Sequence, residues 1–244
     1  MMRLVLLGLL LLLVLPGRSG AQELVADLSE HLVAITTGFA GADVLLFGAV
    51  DGPGDVVVVV RGPARTEMVR RKARTAGIWI NTGEAEMLGA PAFYHLAASR
   101  PLEQAVLPAV RQRHEIGLDV LRVRVAGGES APATEFRAAL IRLMQRNGLY
   151  GSVVEPVTFL GQRLFRSRVH FPANVPIGVY SVEVYLLRGG EVASAQTTPL
   201  IVSKVGVGAE VYDFAHHRAM LYGIVAVLVA VASGWLAAIV LKRA

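Results

Sequence analysis

At 244 residues, with 54% hydrophobic side chains, no cysteine and a formal charge of +5, the chain can bury an adequate core without disulfides. The missing thiols exclude cysteine catalysis, cysteine-based zinc sites and lipoprotein anchoring. Four of its 24 Lys and Arg residues (Arg3, Arg18, Lys242, Arg243) lie at the two ends, leaving 20 bases against 19 acids, so net charge gives no argument for a nucleic-acid partner.

Met1 to Arg3 is a short basic start, Leu4 to Leu15 an apolar run, and Ser19-Gly20-Ala21 follows the break at Pro16-Gly17. The run is too short to span a bilayer comfortably and predicts a signal peptide over residues 1–21. A retained anchor is the alternative, because Arg18 sits close to the cleavage point. The exported part, 22–204, begins with loosely alternating Leu24–Ile35 and a strand over Val44–Val50. Asp51-Gly52-Pro53-Gly54 is a strong turn, and Val56–Val60 is a β-branched run suited to a strand covered on both faces. Met68–Arg74, Gly77–Asn81 and Ala92–Ala98 read as short strands. Ser99 caps a helix that starts near Pro101 and breaks at Pro108, and Leu118–Val125 alternates again. Thr134–Asn147 carries Phe136, Leu140, Leu143 and Met144 on one helical face, with Arg137, Arg142 and Arg146 away from it. Packing on the strands is the favoured reading of that helix, and lying on a membrane surface the other.

Strands return at Leu164–Phe171, Gly178–Leu187 and Glu191–Ser203, the last two joined by Arg188-Gly189-Gly190. The stretch Pro176-x-Gly178-x-Tyr180 before a long strand is similar to the tyrosine corner of immunoglobulin-like domains. The expected fold class is therefore mainly β: an immunoglobulin-like β-sandwich with a helical insertion at about 100–150. Two small sandwiched domains are the alternative. Residues 205–218 read as a juxtamembrane linker. Ala219–Leu241 then runs 23 residues without a charge, about 34 Å of helix at ~1.5 Å per residue, and stops at Lys242-Arg243. Basic flanks stay inside, so 242–244 would be a cytoplasmic tail and 22–218 periplasmic, at a bacterial inner membrane crossed once.

Three sets of residues bear on function. Arg61, Arg65, Arg70, Arg71, Lys72 and Arg74 face only Glu67 locally. In a strand, Arg70 and Lys72 share one face and Arg71 takes the other. Charge on both faces suits a protected edge or hairpin tip matched to Asp43, Asp51 and Asp55. The sharper alternative is a patch for a small oxyanion, anionic lipid headgroups or an acidic partner loop. Trp79, in Gly77-Ile78-Trp79-Ile80-Asn81, is expected as a core anchor. In the terminal span, Ala226, Ala230, Gly234 and Ala238 recur every four residues, a stripe that lets a second helix approach, from a multi-span transporter or a second copy. The histidines (His31, His95, His114, His170, His216, His217) are scattered and predict no metal site. No G-x-S-x-G, S-x-x-K, Walker or Rossmann pattern occurs, so no catalytic residue and no cofactor is expected.

Several motifs together resemble a known family. They are Gly41-x-x-Val44-x-x-Phe47-Gly48, Val58-Val59-Val60-Arg61-Gly62-Pro63, Arg70-Arg71-Lys72 and Gly77-Ile78-Trp79-Ile80-Asn81, followed by Pro91-x-Phe93-Tyr94, Pro172 to Tyr180, Leu221-Tyr222-Gly223 and Gly234-Trp235. The likeness is to an uncharacterised transmembrane protein family of alphaproteobacteria and covers nearly the whole mature chain. It implies a β-rich exported domain, one C-terminal membrane helix, and a neighbouring permease similar to sulfite exporters as partner. The favoured function is thus a membrane-anchored periplasmic accessory protein. A periplasmic small-anion-binding module and a membrane-tethered enzyme are the alternatives.

Overall fold

A computed structural model describes residues 23–75, 77–126, 131–206, 215–216 and 218–243, with backbone alone at 131–132 and 236–243. The expected signal peptide, most of the linker, His217 and the side chain of Ala238 lie outside the described residues.

The chain is mainly β. A four-stranded antiparallel sheet has the order β1-β3-β11-β10, formed by β1 (Leu24–Leu28), β3 (Gly41–Val50), β11 (Leu164–Pro172) and β10 (Thr158–Leu160). A six-stranded sheet has the order β2-β13-β12-β4-β7-β9. Its strands are β2 (Leu32–Ile35), β13 (Glu191–Lys204), β12 (Gly178–Arg188), β4 (Asp55–Arg61), β7 (Tyr94–Ala98) and β9 (Glu155–Pro156). Both sheets feed one apolar core. Period-two burial explains the first sheet: β1 and β11 send alternate residues inward, Leu24, Ala26 and Leu28 from the one and Phe165, Val169 and Phe171 from the other. The sequence suggested one loosely alternating segment at 24–35. Instead the chain changes sheets between β1 and β2, and the Gln196 side chain bonds both the N–H (2.9 Å) and the carbonyl (2.7 Å) of Ala26, closing that side.

Val56–Val60 is fully buried because β4 sits in mid-sheet between β12 and β7. Tyr185 and Glu183 lie opposite Val57 and Val59 and share their face. The ring of His114, at the end of helix α2 (Pro108–His114), lies edge-on to Tyr185 at 5.2 Å, so α2 covers that face while the other turns to the core. Each such valine contributes about 1.5–2 kcal/mol of burial. The β12–β13 turn is built by Gly189 and Gly190, both left-handed (φ 60° and 84°), as a two-residue hairpin of this kind requires.

Between β4 and β10 the succession of strands in these two sheets is interrupted. First comes a long hairpin of β5 (Ala64–Thr75) and β6 (Ile78–Pro91), with Gly77 left-handed at its turn (φ 86°). The sequence suggested only two short strands there. After β7 come α1 (Leu102–Ala105), α2, a 3-10 turn (Leu118–Val120), β8 (Arg124–Val125) and α3 (Ala131–Arg146). The expected strand over Leu118–Val125 is corrected: only Arg124 and Val125 pair, with Leu88 and Met87 of β6. The alternation that suggested it comes from Leu121 and Val123, which bury in the core without a ladder. The last helix, α4 (Ala219–Arg243), has 25 residues.

Candidate functional site

The six bases divided between two environments are the first candidate. Arg61 ends β4, opposite Ser181 on β12 and Tyr94 on β7. Its guanidinium pairs with the Glu183 carboxylate and donates to the carbonyls of His114 and Glu115 at the C-terminal end of α2. The Tyr94 ring lies 5.9 Å away. The Tyr94 hydroxyl donates to the Glu115 carbonyl (2.9 Å) and accepts from the Gly117 N–H (2.8 Å). Glu183 also accepts from the hydroxyls of Tyr185 (2.6 Å) and Ser181 (3.2 Å). Burial alone would raise the Glu183 carboxyl, but the hydrogen bonds from Arg61 and Tyr185 win and hold it below its usual range. Burial likewise opposes the Arg61 charge, yet Glu183 leaves it raised, while burial pushes the Tyr94 phenol up to about 12. A cation at a helix C-terminus with its own carboxylate is a clamp: it fastens α2 to the sheet. Three of its hydrogen bonds go to protein acceptors.

The other five bases belong to the hairpin. Arg65 donates to the Ile177 carbonyl (3.1 Å), and Arg70 pairs with Glu84 across the strands (3.3 Å). Arg71, on the opposite face, pairs with Glu135 of α3 and lies 5.4 Å from the Phe136 ring. Arg74 bonds the turn carbonyl of Gly77 (3.3 Å). Among the described residues neither Lys72 nor Arg74 has a carboxylate partner. The acids that the sequence matches to this stretch lie elsewhere: Asp43 meets His170 (2.7 Å), Asp51 meets Arg163 (3.8 Å) and Asp55 meets Arg100. Trp79 is not a core anchor. It sits on the distal part of β6, opposite Arg74, and is 69% exposed, flanked by Ile78 at 65% and Ile80 at 40%. Among the described residues the hairpin is buried only towards its root, at Val69, Met87, Ala90 and Pro91, and α3 covers it no further than Arg71 and Gly83.

A cavity of about 230 Å³ opens beside Arg61, lined also by Gly62, Val179, Tyr180, Ser181, Thr197 and Pro199. That is below the ~300–1,000 Å³ usual for small-molecule sites. Among the described residues no group of three His, Asp or Glu side chains could hold a metal. His31 meets Asp27 (3.0 Å), and His95 is buried on β7.

In α4 every described side chain, Ala219 to Trp235, is exposed, Ala226, Ala230 and Gly234 included. Nothing in the domain comes within 4 Å of a side chain built at Gly234. Side chains beyond 235 lie outside the described residues, and among the described residues no helix is long and apolar enough to cross a membrane.

Sequence reasoning missed the partners of Arg61, because Glu183 and the α2 carbonyls are remote in the chain. It also missed Ile78-Trp79-Ile80 as a surface group, although the basic, acid-free stretch beside it was a usable signal. No curated protein matches the chain. Residues 23–243 match the profile of the family described as "Putative transmembrane protein", and the chain belongs to that family.

Proposed function

We propose that the protein is a membrane-anchored accessory subunit, with an immunoglobulin-like domain held at the periplasmic face of the inner membrane by one crossing of Ala219–Leu241. The observation that carries this reading is α4: its exposed side chains are almost wholly apolar and find no cover on the domain. Such a surface far exceeds the patches soluble proteins tolerate and calls for lipid or another helix. At ~1.5 Å per residue, 25 helical residues reach about 37 Å, against ~30 Å of hydrocarbon. Lys242 and Arg243 favour a cytoplasmic C-terminus.

Strand order supports the immunoglobulin-like reading. Taking β1, β3, β11 and β10 as A, B, E and D leaves β2, β13, β12, β4 and β7 as A′, G, F, C and C′. The Tyr180 hydroxyl donates back to the Pro176 carbonyl (2.5 Å), the bond of a tyrosine corner. The partner is a multi-span membrane protein, in line with the resemblance to a family neighbouring sulfite-exporter-like permeases. Anion binding has less support, since Arg61, Arg65, Arg70 and Arg71 already bond protein acceptors.

The test is to tag the full chain, express it in its host, solubilise it mildly and identify what co-purifies. A stoichiometric permease that is lost in Gly234→Leu supports the accessory reading. Only a second copy of the chain, or no partner after crosslinking, overturns it.

A further inference from the structure

We propose that the distal half of the β5–β6 hairpin docks on the anionic phospholipid surface of the membrane that holds α4, with Trp79 at the headgroup level and Lys72 and Arg74 against lipid phosphates. The inference rests on the membrane anchoring proposed above and adds a second contact with the bilayer. Register defines the surface. Arg70, Lys72 and Arg74 lie opposite Glu84, Asn81 and Trp79, and directly opposed residues of a ladder share a face. One face of the arm is thus basic with an indole near its end. The other carries Ile78 and Ile80, opposite Thr75 and Ala73. Beyond Arg71 and Gly83 no other element among the described residues covers either face, and Ile78, Trp79 and Ile80 stay 65%, 69% and 40% exposed.

Residues 68–81 hold four bases and no acid. Arg70 and Arg71 are neutralised by Glu84 and Glu135, which leaves Lys72 and Arg74 as the charges the tip presents. An acidic protein loop would match those two charges but would offer no reason for three large apolar side chains around them. An anionic bilayer matches both: indoles settle at its interface, and each nearby Lys or Arg adds ~1 kcal/mol of attraction.

Position agrees with this. Arg61 is opposite Ser181, and Gly178 is opposite Val202, so β4 ends at the same end of the sheet as β13. The hairpin therefore leaves the sandwich at the end from which the chain departs for α4. The 12 residues of β5 span about 40 Å at ~3.3 Å each, and the 14 residues of 205–218 reach at most about 50 Å. The arm and the tether are of comparable reach.

Only two tryptophans are present, so in a Trp235→Phe background Trp79 is the sole indole reporter. The full chain would be reconstituted in phosphatidylcholine vesicles with and without phosphatidylglycerol. Trp79 emission would be followed with lipids brominated near the headgroup end of the acyl chain. The expected result is a blue shift and quenching that depend on phosphatidylglycerol. Lys72→Ala/Arg74→Ala should lower the docked-to-free ratio about 30-fold, from ~1 kcal/mol per base. Ile78→Ser/Ile80→Ser should lower quenching with the charges intact. Water-like, unquenched emission in phosphatidylglycerol vesicles overturns the proposal, as does equal quenching without that lipid. Shielding of Trp79 only after host membrane proteins are added overturns it in favour of a protein partner. A carbonate wash of the same vesicles reads the anchor separately: release of the chain refutes the crossing by α4, whatever Trp79 reports.

Discussion

His95 makes the stability of this domain depend on pH in a calculable way. It lies on β7 opposite Val60, is 7% exposed, and its buried Nε2 has no hydrogen-bond partner among the described residues. An imidazolium there would lose its hydration and gain no acceptor. Burial first, and the charge of His170 second, push its pKa down from 6.5 to about 4. The unfolded chain takes up the proton from about pH 6.5 downward, while the folded chain refuses it until about pH 4. Stability is therefore lost as pH falls through that window, and is level above it with respect to this group. At ~1.4 kcal/mol per pH unit the window amounts to about 3 kcal/mol. His95→Met keeps the volume and removes both the proton site and the orphaned nitrogen. Urea midpoints of the full chain in mild detergent, from about pH 7 to about pH 4, give the assay. Subtracting the variant from the parent cancels the carboxylates common to both, and the difference should grow to about 3 kcal/mol at the acid end. Parallel curves across the whole range would refute the reasoning, since they would mean His95 charges as readily folded as unfolded.

Arg61→Met should cost about 2–3 kcal/mol in chemical denaturation, because Glu183 keeps its hydroxyl donors but loses its countercharge; adding Glu183→Leu should recover most of it. Trp79→Ala should change the midpoint by less than about 0.5 kcal/mol, whereas a core tryptophan would cost ~3–5 kcal/mol. Gly48→Ala should cost about 2–3 kcal/mol or more in thermal melts, as the new carbon would lie 2.4 Å from the Val25 carbonyl oxygen and 2.5 Å from the Phe165 ring, one on each neighbouring strand.

Where a pattern is written by one strand alone, the sequence was legible. The alternation of β11, the all-valine β4 and the Gly189-Gly190 turn each follow from local residues, and each appears at the expected position. Long-range pairing was not legible. Arg61 meets Glu183 across 122 positions, and nothing near Arg61 marks it as a helix clamp rather than a member of a patch. Trp79 is a different kind of miss. Ile78-Trp79-Ile80 reads the same in a core strand as at a hairpin tip, because periodicity records how side chains alternate and not what covers them. Its neighbours could have decided the matter. Arg70, Lys72 and Arg74 share one face of β5 and Arg71 takes the other, so the distal part of that strand can be buried on neither face. A strand paired to it residue by residue shares its surroundings. Once β5 and β6 are read as one hairpin, Arg74 opposite Trp79 is enough to bring the indole out of the core.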